Sequence, residues 1–323
     1  MKIVIPGGSG QIGRILVRAF RDRGDECVVL TRNLKAHVQG EPGVREVEWD
    51  GKTVGPWARE IDGADVVINL AGRSVDCRYG RRNLAEMMTS RIDSTRVVGE
   101  AISAAASPPG VWLQASTATI YAHRFDAAND EFNGIIGGRE PDAPALWAES
   151  IAIARAWEAT CLVARTPHTR KVLLRAAMVM SAGRGGVFHI LARHTLLGFG
   201  RFGDGRQFVS WIHEDDFVAA LRFLIEHESI TGPVNLCAPN PLPNSGFFGA
   251  LGRALGKRHL VPVPRWQLEI ATFFLRTESE LLLKSRRVVP ARLLDEGFEF
   301  KHRNWPEAAA ELAGRWRKRA HSP

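Results

Sequence analysis

The sequence KIVIPGGSGQIG, residues 2–13, decides the fold of this chain. It begins as an apolar run typical of a buried strand, turns on glycines, and continues with apolar residues at helix spacing from Ile12 to Phe20. Glycines in such a turn permit a tight bend, close approach of the backbone to a pyrophosphate, and packing of the helix on the strand. The first turn of the helix offers unpaired N–H groups to phosphate oxygens. The stretch therefore predicts a strand, a turn and a helix that bind a dinucleotide.

Within this turn the predicted cofactor contacts are Gly7, Gly10, Gln11, Ile12 and Gly13. The alternative is an ordinary glycine turn without a ligand. The nucleotide site is favoured because the glycines come directly after a strand and directly before a helix.

The length and composition limit the classes of protein to which this chain could belong. The chain has 323 residues, of which 45% are apolar, enough for two domains or for one large α/β domain with an appendage. No run approaches the ~20 consecutive apolar residues of a membrane span, and the chain starts with a strand rather than a signal peptide, so we expect no membrane association. Four scattered cysteines form neither a metal pattern nor a disulfide framework, which predicts a reducing, cytoplasmic setting.

The net charge of +8 could indicate nucleic-acid binding. However, the basic residues are spread over the helical segments, with one modest cluster at residues 315–319, and no zinc-finger spacing or RNA-binding signature accompanies them. We therefore expect a solvated, arginine-rich surface and an anionic small-molecule ligand, with no nucleic-acid partner.

Two residues that follow early strands bear on the choice of cofactor. Arg32 ends the second strand, where an acidic residue would bind the adenosine ribose hydroxyls and an arginine suits a 2′-phosphate. Arg32 therefore favours NADP(H) over NAD, the alternative being a surface arginine. Asp50 ends the next strand and could contact the adenine amine, or it could form a turn before Gly51.

The order of the remaining segments predicts the architecture. Apolar strands at residues 64–72, 111–115 and 171–175 alternate with helical patterns, which indicates a doubly wound parallel Rossmann sheet with helices on both faces. We predict a nucleotide domain at residues 1–239, in which residues 176–207 leave the sheet to line the cleft, and a small, mostly helical C-terminal domain at residues 240–323. Residues 198–207 are predicted to form a glycine and arginine loop.

The strand at residues 64–72 ends in small residues, which leave room for the nicotinamide ribose at the edge of the sheet. Leu70, Ala71 and Gly72 are therefore further predicted cofactor contacts.

Together these motifs resemble the extended short-chain dehydrogenase/reductase family. The glycine motif at residues 7–13, NLAG at 69–72 and STATIY at 116–121 lie in the order of that family. A second set of motifs resembles an atypical subgroup labelled epimerase-family or nucleoside-diphosphate-sugar epimerase-like, whose C-terminal domain has no assigned role. This set comprises GRQ at 205–207, SWIH at 210–213, PVNL at 233–236, RVVP at 287–290 and GF at 297–298.

The resemblance implies an NADP cofactor, or NAD as the alternative, that also contacts Ser116. It implies a small-molecule substrate, anionic or a sugar nucleotide. Many relatives form dimers, and the sequence leaves a monomer and a homodimer both open.

The proton-handling pair of the resembled family is missing from this chain. That pair is a Tyr with a Lys four residues later, which share one face of a helix. The chain has two tyrosines, neither followed by lysine at that spacing, and no lysine occurs between Lys52 and Lys171. Alignment with the family's helix places Trp147 at the Tyr position and Ile151 at the Lys position. Arg91 replaces the catalytic Asn of the family.

Of the family's catalytic positions, Thr117 alone matches. Other groups could handle protons, and the candidates are Tyr121 and His213. Tyr121 could instead be a packing residue, and His213 could instead cap the helix that begins near Asp215. These three residues are the candidate catalytic group.

Three residues are predicted to line the substrate cleft: Trp147, Arg206 and Gln207. Arg206 could hold an anionic substrate through two parallel hydrogen bonds, and the alternative for Arg206 and Gln207 is a solvated loop.

The sequence thus leaves two functions open. One is an NADP(H)-dependent oxidoreductase or epimerase-like enzyme of unknown substrate. The other is a catalytically inactive NADP(H)-binding sensor or scaffold. The polar residues kept in the cleft loops favour the enzyme.

Overall fold

A parallel sheet forms the centre of the molecule. The computed structural model describes residues 1–34, 42–141, 143–268 and 280–320. The central strands, in chain order, are β1 (Lys2–Pro6), β2 (Glu26–Thr31), β3 (Val44–Glu48), β4 (Val66–Asn69), β5 (Val111–Thr117), β6 (Arg170–Ala176) and β11 (Gly232–Leu236).

The helices of the described residues are α1 (Gln11–Arg21), α2 (Arg81–Ala104), α3 (Leu146–Val163), α4 (Val187–Leu196), α5 (Glu214–Glu226), α6 (Asn244–Ala254), α7 (Glu280–Leu283), α8 (Ala291–Asp295) and α9 (Trp305–Ala320). The short strands are β7 (Met178–Met180), β8 (Phe199–Phe202), β9 (Phe208–Val209), β10 (Trp211–His213), β12 (Leu242–Pro243) and β13 (Val261–Val263). Short 3₁₀ helices occupy Pro56–Glu60 and Ala118–Ile120.

The order of the strands confirms the predicted fold class. Across the sheet it is β11-β6-β5-β4-β1-β2-β3, and every neighbouring pair is parallel. The direction of winding reverses between β1 and β4. In open α/β sheets a ligand binds in the crevice at the carboxyl ends of the strands, where this reversal occurs.

Alternate residues of β1 show how the two faces are covered. Ile3 and Ile5 belong to a core that includes side chains of α1 and α5, whereas Val4 belongs to a core that includes side chains of α2. All three residues are fully buried. Such continuous burial is expected of a parallel strand with helices on both faces.

A second apolar core joins the later parts of the chain. It contains Phe188, Trp211, Phe247 and Trp305, and the rings of Phe247 and Trp305 stack with their centroids 4.1 Å apart. This core contains residues from both sides of position 239, where the sequence predicts a boundary between two domains. That boundary stays a prediction.

The segment predicted as a loop at residues 198–207 contains a strand. Within it, β8 pairs in parallel with β13, about 60 residues later in the chain. A Cβ at Gly200 would lie 2.5 Å from the Leu260 Cβ, so the two strands touch closely. The glycines of this segment indicate a loop. The sequence does not reveal the strand because its pairing partner lies far away along the chain.

None of the helices in the described residues is both long and apolar enough to cross a lipid bilayer.

The contact between α1 and the glycine turn generates a stability prediction. A Cβ at Gly13 would lie 2.1 Å from the Gly8 carbonyl oxygen, so we expect Gly13→Ala to lower the free energy of unfolding by about 3 kcal/mol because backbone must move. Urea denaturation measures the change. The matched control is Gly314→Ala in α9, where a Cβ meets no atom within 4 Å and the helix gains up to ~1 kcal/mol. Equal losses in the two variants would contradict the proposed contact.

Candidate functional site

The carboxyl ends of β1 and β4 meet through their backbones. Gly7 has a positive φ of 76°, and a Cβ there would lie 2.9 Å from the Ala71 nitrogen. The Leu70 N–H donates to the Pro6 carbonyl oxygen at 2.9 Å. Gly7, Leu70 and Ala71, which are predicted cofactor contacts, therefore lie together at the point where the sheet reverses its winding.

The amino end of α1 presents an uncapped helix terminus. Gly10 is the N-cap residue, no side chain caps it, and the first turn has no acidic residue. A Cβ at Gly10 would meet only the Gly7 carbonyl oxygen, at 3.4 Å, so protein packing does not explain the glycine. The Gln11 Nε2 is buried and has no hydrogen-bond partner among the described residues. These features fit an anionic group such as a pyrophosphate at this end of the helix.

The end of β2 lies beside the same turn. The Thr31 hydroxyl donates to the Ser9 Oγ at 3.1 Å, which links the strand to the glycine turn. Arg32 is exposed and makes no hydrogen bond or ion pair with another described residue. Its guanidinium is therefore available to an anion near the turn.

Asp50 forms a turn with the residues that follow it, which was the alternative to a contact with adenine. Its carboxylate accepts hydrogen bonds from the N–H groups of Lys52 and Thr53 and from the Thr53 hydroxyl, and Gly51 has a positive φ of 71°. The hydrogen bonds from Thr53 and then from Lys52 lower the pKa of Asp50 to about 2. A contact of Asp50 with adenine stays a prediction.

Arg91 lies against the end of β4. A Cβ at Gly72 would lie 3.3 Å from the Arg91 Cζ, so glycine leaves room for the guanidinium. Arg91 also stacks over the ring of Trp157, with the Cζ 4.8 Å from the ring centroid, and donates to the Met87 carbonyl oxygen at 3.0 Å. Burial lowers the pKa of Arg91 to about 10. Arg91, which is predicted to replace the family's Asn, thus places a buried guanidinium beside the predicted cofactor site.

A buried polar network begins at the end of β5. The Ser116 hydroxyl donates to the Glu158 Oε1 at 2.6 Å, and Arg175 donates to both carboxylate oxygens of Glu158 at 2.8 Å. Arg175 also donates to the Tyr121 hydroxyl at 2.9 Å, and that hydroxyl donates to the Asn235 Oδ1 at 3.0 Å. The network joins β5, α3, β6 and β11.

The hydroxyl of Tyr121 is bound within this network. It is 2% exposed, and burial is the main cause that raises its pKa. Both interactions of its hydroxyl are with buried protein groups. These contacts fit the packing role that was the alternative for Tyr121, and its catalytic role stays a prediction.

Thr117 lies at the carboxyl end of β5. Its Oγ1 accepts a hydrogen bond from the Thr119 N–H at 3.1 Å and so caps the 3₁₀ helix that follows. Trp147, in the first turn of α3, is 7% exposed and contacts the ring of His123, with the centroids 5.0 Å apart. The hydroxyl of Thr117 and the wall formed by Trp147 remain the predicted catalytic and cleft elements here.

The C-terminal segment at residues 280–288 packs against the loop after β5, a contact that the sequence analysis missed. The Lys284 Nζ donates to the Thr119 carbonyl oxygen at 2.9 Å and lies 3.6 Å from the Glu280 Oε1. The Ser150 hydroxyl, in the first turn of α3, donates to the Glu280 Oε2 at 2.5 Å. The segment thus brings a buried ion pair to α3, the helix that is predicted to correspond to the family's Tyr and Lys helix.

Burial is the main cause that lowers the pKa of Lys284, to about 8, and the Arg286 charge acts in the same direction. Tyr79, whose pKa burial raises to about 12, lies near the same Glu280 carboxylate. A lysine with a pKa near 8 can both donate and accept a proton at neutral pH. The only sequence signal for Lys284 was a lysine within an apolar helical pattern, and the sequence does not reveal its partners.

His213 caps α5. Its Nδ1 accepts a hydrogen bond from the Asp215 N–H at 3.0 Å, and its Nε2 lies 3.0 Å from the Glu311 Oε2. The ring is fully buried and stacks on His302, with the centroids 3.7 Å apart. Both ring nitrogens are therefore engaged by protein groups. His213 thus makes the capping contact that was its alternative role, and its catalytic role stays a prediction.

The two predicted residues of the 198–207 segment have different environments. Gln207 is 3% exposed, and its Nε2 donates to the carbonyl oxygens of Phe202 and Leu282. Its amide therefore links the segment to the C-terminal region, and its place in the cleft stays a prediction. Arg206 is exposed, with its Cζ 5.7 Å from the centroid of the Phe125 ring, and its place in the cleft stays a prediction.

Comparison with known families gives two matches along the chain. The NAD dependent epimerase/dehydratase family matches residues 3–237, and a domain of unknown function, DUF1731, matches residues 263–312. The chain is 31% identical to the mouse epimerase family protein SDR39U1 over 97% of this chain and 98% of the mouse protein. It is 28% identical to the epimerase family protein YfhF of Bacillus subtilis, over 97% of this chain and 98% of that protein.

Among solved structures, the chain is similar to human SDR39U1, isoform 2, crystallised with NADPH. The TM-score is 0.82 and the identity 28%, over 97% of this chain and 99% of the human chain. These similarities confirm the resemblance to the extended reductases and to their epimerase-labelled subgroup.

The environment of His213 predicts a pH dependence of stability. Burial and then the neighbouring His302 lower the pKa of His213 below its ordinary value of 6.5, so the unfolded chain binds more protons between these two values. We therefore expect the free energy of unfolding to fall as the pH drops below about 6.5, by at most about 1.4 kcal/mol per pH unit for one proton. Urea denaturation at a series of pH values measures this slope.

The control variant is His213→Asn, which keeps a capping side chain but does not titrate. The slope should become shallower without disappearing, because burial also lowers the pKa of His123. An unchanged slope would show that His213 is not responsible.

Proposed function

Because this chain belongs to the NAD dependent epimerase/dehydratase family, we propose that it binds NADP(H) where β1 and β4 meet and acts as an oxidoreductase or epimerase-like enzyme. The substrate class that fits is a small anionic carbonyl compound or a sugar nucleotide. The observation that carries the proposal is the uncapped end of α1 next to Gly10, where neither a side chain nor an acidic residue takes the place of a phosphate.

The residues that would hold the cofactor surround this point. The pyrophosphate would lie against the first turn of α1, and the exposed Arg32 would bind the 2′-phosphate that distinguishes NADP(H). The proposed contacts are Gly7, Gly10, Gln11, Ile12, Gly13, Arg32, Asp50, Leu70, Ala71, Gly72 and Ser116. That human SDR39U1 was crystallised with NADPH supports the same cofactor here.

Arg91 is added to these contacts. Its guanidinium lies against Gly72 and has few protein partners for a group with five N–H donors. We propose that it binds a cofactor oxygen near the end of β4.

When bound, NADP(H) supplies or accepts a hydride, so the protein must handle the proton of the reacting oxygen. We propose that Lys284 does this, with Thr117 binding the oxygen. Three features support Lys284: burial beside the Glu280 carboxylate, a pKa of about 8, and a hydrogen bond to Thr119, two residues after Thr117. A buried ammonium can lose its proton near neutral pH because burial disfavours its charged form.

A second function remains supported by one observation. Trp147, at the position of the family's Tyr, is buried and packed against His123, so no proton-handling group stands there. A cofactor-binding sensor without turnover would fit that arrangement. The two functions differ in whether NADPH is consumed.

Cofactor binding is tested by titration with NADPH, followed by energy transfer from the tryptophans and by the melting temperature. Cofactor at a hundred times its dissociation constant stabilises the fold by about 2.7 kcal/mol. We expect Arg32→Asp to weaken NADPH binding by about tenfold to a hundredfold and to reverse the preference toward NADH, because a charge-assisted contact is lost. Arg303→Asp, the same change at another exposed arginine, should leave the preference unchanged. Absence of binding by the wild type would refute the proposal.

Turnover is tested by the loss of NADPH absorbance with a panel of carbonyl probes that includes 9,10-phenanthrenequinone. We expect Lys284→Met to lower the rate on a reduced probe by about a hundredfold or more while NADPH binds as before, since general acid catalysis contributes at this scale. Circular dichroism checks that the variant folds. Lys284→Arg, which keeps the charge but cannot give up its proton, should lose the rate as well. Bound NADPH with no turnover on any probe would favour the sensor.

A further inference from the structure

A pocket of about 450 Å³ lies between α3 and the loop that precedes it. Arg155, Ala159 and Leu162 line it from α3, and Ile136 and Arg139 line it from the loop. None of its lining residues is a proposed cofactor contact. The pocket therefore shares no lining residue with the proposed cofactor site and lies beside the loop that connects β5 to α3.

The floor of the pocket carries the buried ion pair of Arg175 and Glu158. A guanidinium has five N–H donors. Arg175 uses its Nε and Nη2 on Glu158 and its Nη1 on Tyr121, which leaves two N–H groups without a protein acceptor among the described residues.

The rim of the pocket is basic. Arg139 and Arg155 are exposed and make no hydrogen bond or ion pair with another residue of the described ranges. With Arg175 they give three guanidinium groups against the single carboxylate of Glu158. The pocket therefore has an excess of positive charge, which attracts an anion.

The remaining lining is apolar. Ile120 is buried at the inner side, whereas Ile136 is 37% exposed and Leu162 is 53% exposed. Binding sites for small molecules combine such apolar walls with a few polar groups that fix the orientation of the ligand.

We propose that this pocket binds a small organic anion, a carboxylate or sulfonate on an apolar body. The anionic group pairs with Arg139 and Arg155 and accepts from the free N–H groups of Arg175. The apolar body packs on Ile136 and Leu162. This site is distinct from the cleft that holds the cofactor, so it does not depend on the proposed reaction.

The test uses 8-anilinonaphthalene-1-sulfonate as the probe, with its fluorescence recorded with and without saturating NADPH. N-phenyl-1-naphthylamine, the same ring system without the sulfonate, is the uncharged comparison. We expect the sulfonate to bind with NADPH present. The double variant Arg139→Ala/Arg155→Ala should weaken that binding by about tenfold or more, because charge-assisted contacts are lost. The uncharged probe should bind more weakly and should not respond to the variant.

Two further variants control the result. Arg193→Ala/Arg303→Ala removes the same charge at exposed arginines outside the pocket and should leave the affinity unchanged. Ala159→Phe fills the pocket without a change of charge and should also weaken binding. The proposal would be overturned if the sulfonate probe bound all variants with equal affinity. It would also be overturned if NADPH displaced the probe completely and the Arg139 and Arg155 changes had no effect on its binding. If NADPH does not bind, the proposed function is refuted but the proposal for this pocket is not. The effect of the arginine variants on probe binding is also measured without cofactor.

Discussion

The backbone of α1 rests directly on the loop that precedes it, and the nucleotide half of the molecule depends on this contact. No side chain can stand between Gly13 and Gly8, because a Cβ would lie 2.1 Å from a carbonyl oxygen. The same turn presses Gly7 against Ala71 of the neighbouring strand end. Close packing of three backbone segments leaves the N–H groups of the first helical turn facing the crevice. The proposed anion site therefore depends on packing that only glycine permits.

A buried ion pair connects several strands and a helix near the carboxyl end of β5. The ion pair of Glu158 and Arg175 ties α3 to β6 and reaches Ser116 on β5 and Asn235 on β11 through hydrogen bonds. Removing one partner would leave the other charge buried and unpaired, which is costly, so the pair holds these elements in one arrangement. One end of the network lies at the end of β5, next to the proposed cofactor site, and its centre forms the floor of the second pocket.

The C-terminal region packs against the loop after β5 and against α3. Residues 280–288 run along the loop after β5 through contacts with Thr119, His123 and Asn129. Lys284 lies against the Thr119 carbonyl oxygen, and Glu280 accepts from Ser150 near the start of α3. This gives a physical role to part of the domain of unknown function that matches residues 263–312. A proton-handling group lost from one helix is thus replaced in our proposal by one that comes from about 130 residues later.

By itself the sequence determined the local features of this protein. Apolar periodicity and glycine placement predict β1, the turn, α1 and the parallel doubly wound sheet, and the fold confirms them. The lack of a Tyr and Lys pair on α3 is likewise a matter of spacing within one helix. These features were predictable because each depends on residues a few positions apart, where helix and strand periods and glycine sterics act. The pairing of β8 with β13, the stacking of His213 on His302 and the burial of Lys284 beside Thr119 were decided only by the tertiary structure. Lys284 and Thr119 are 165 residues apart, and no local pattern encodes which distant backbone oxygen a buried ammonium will meet.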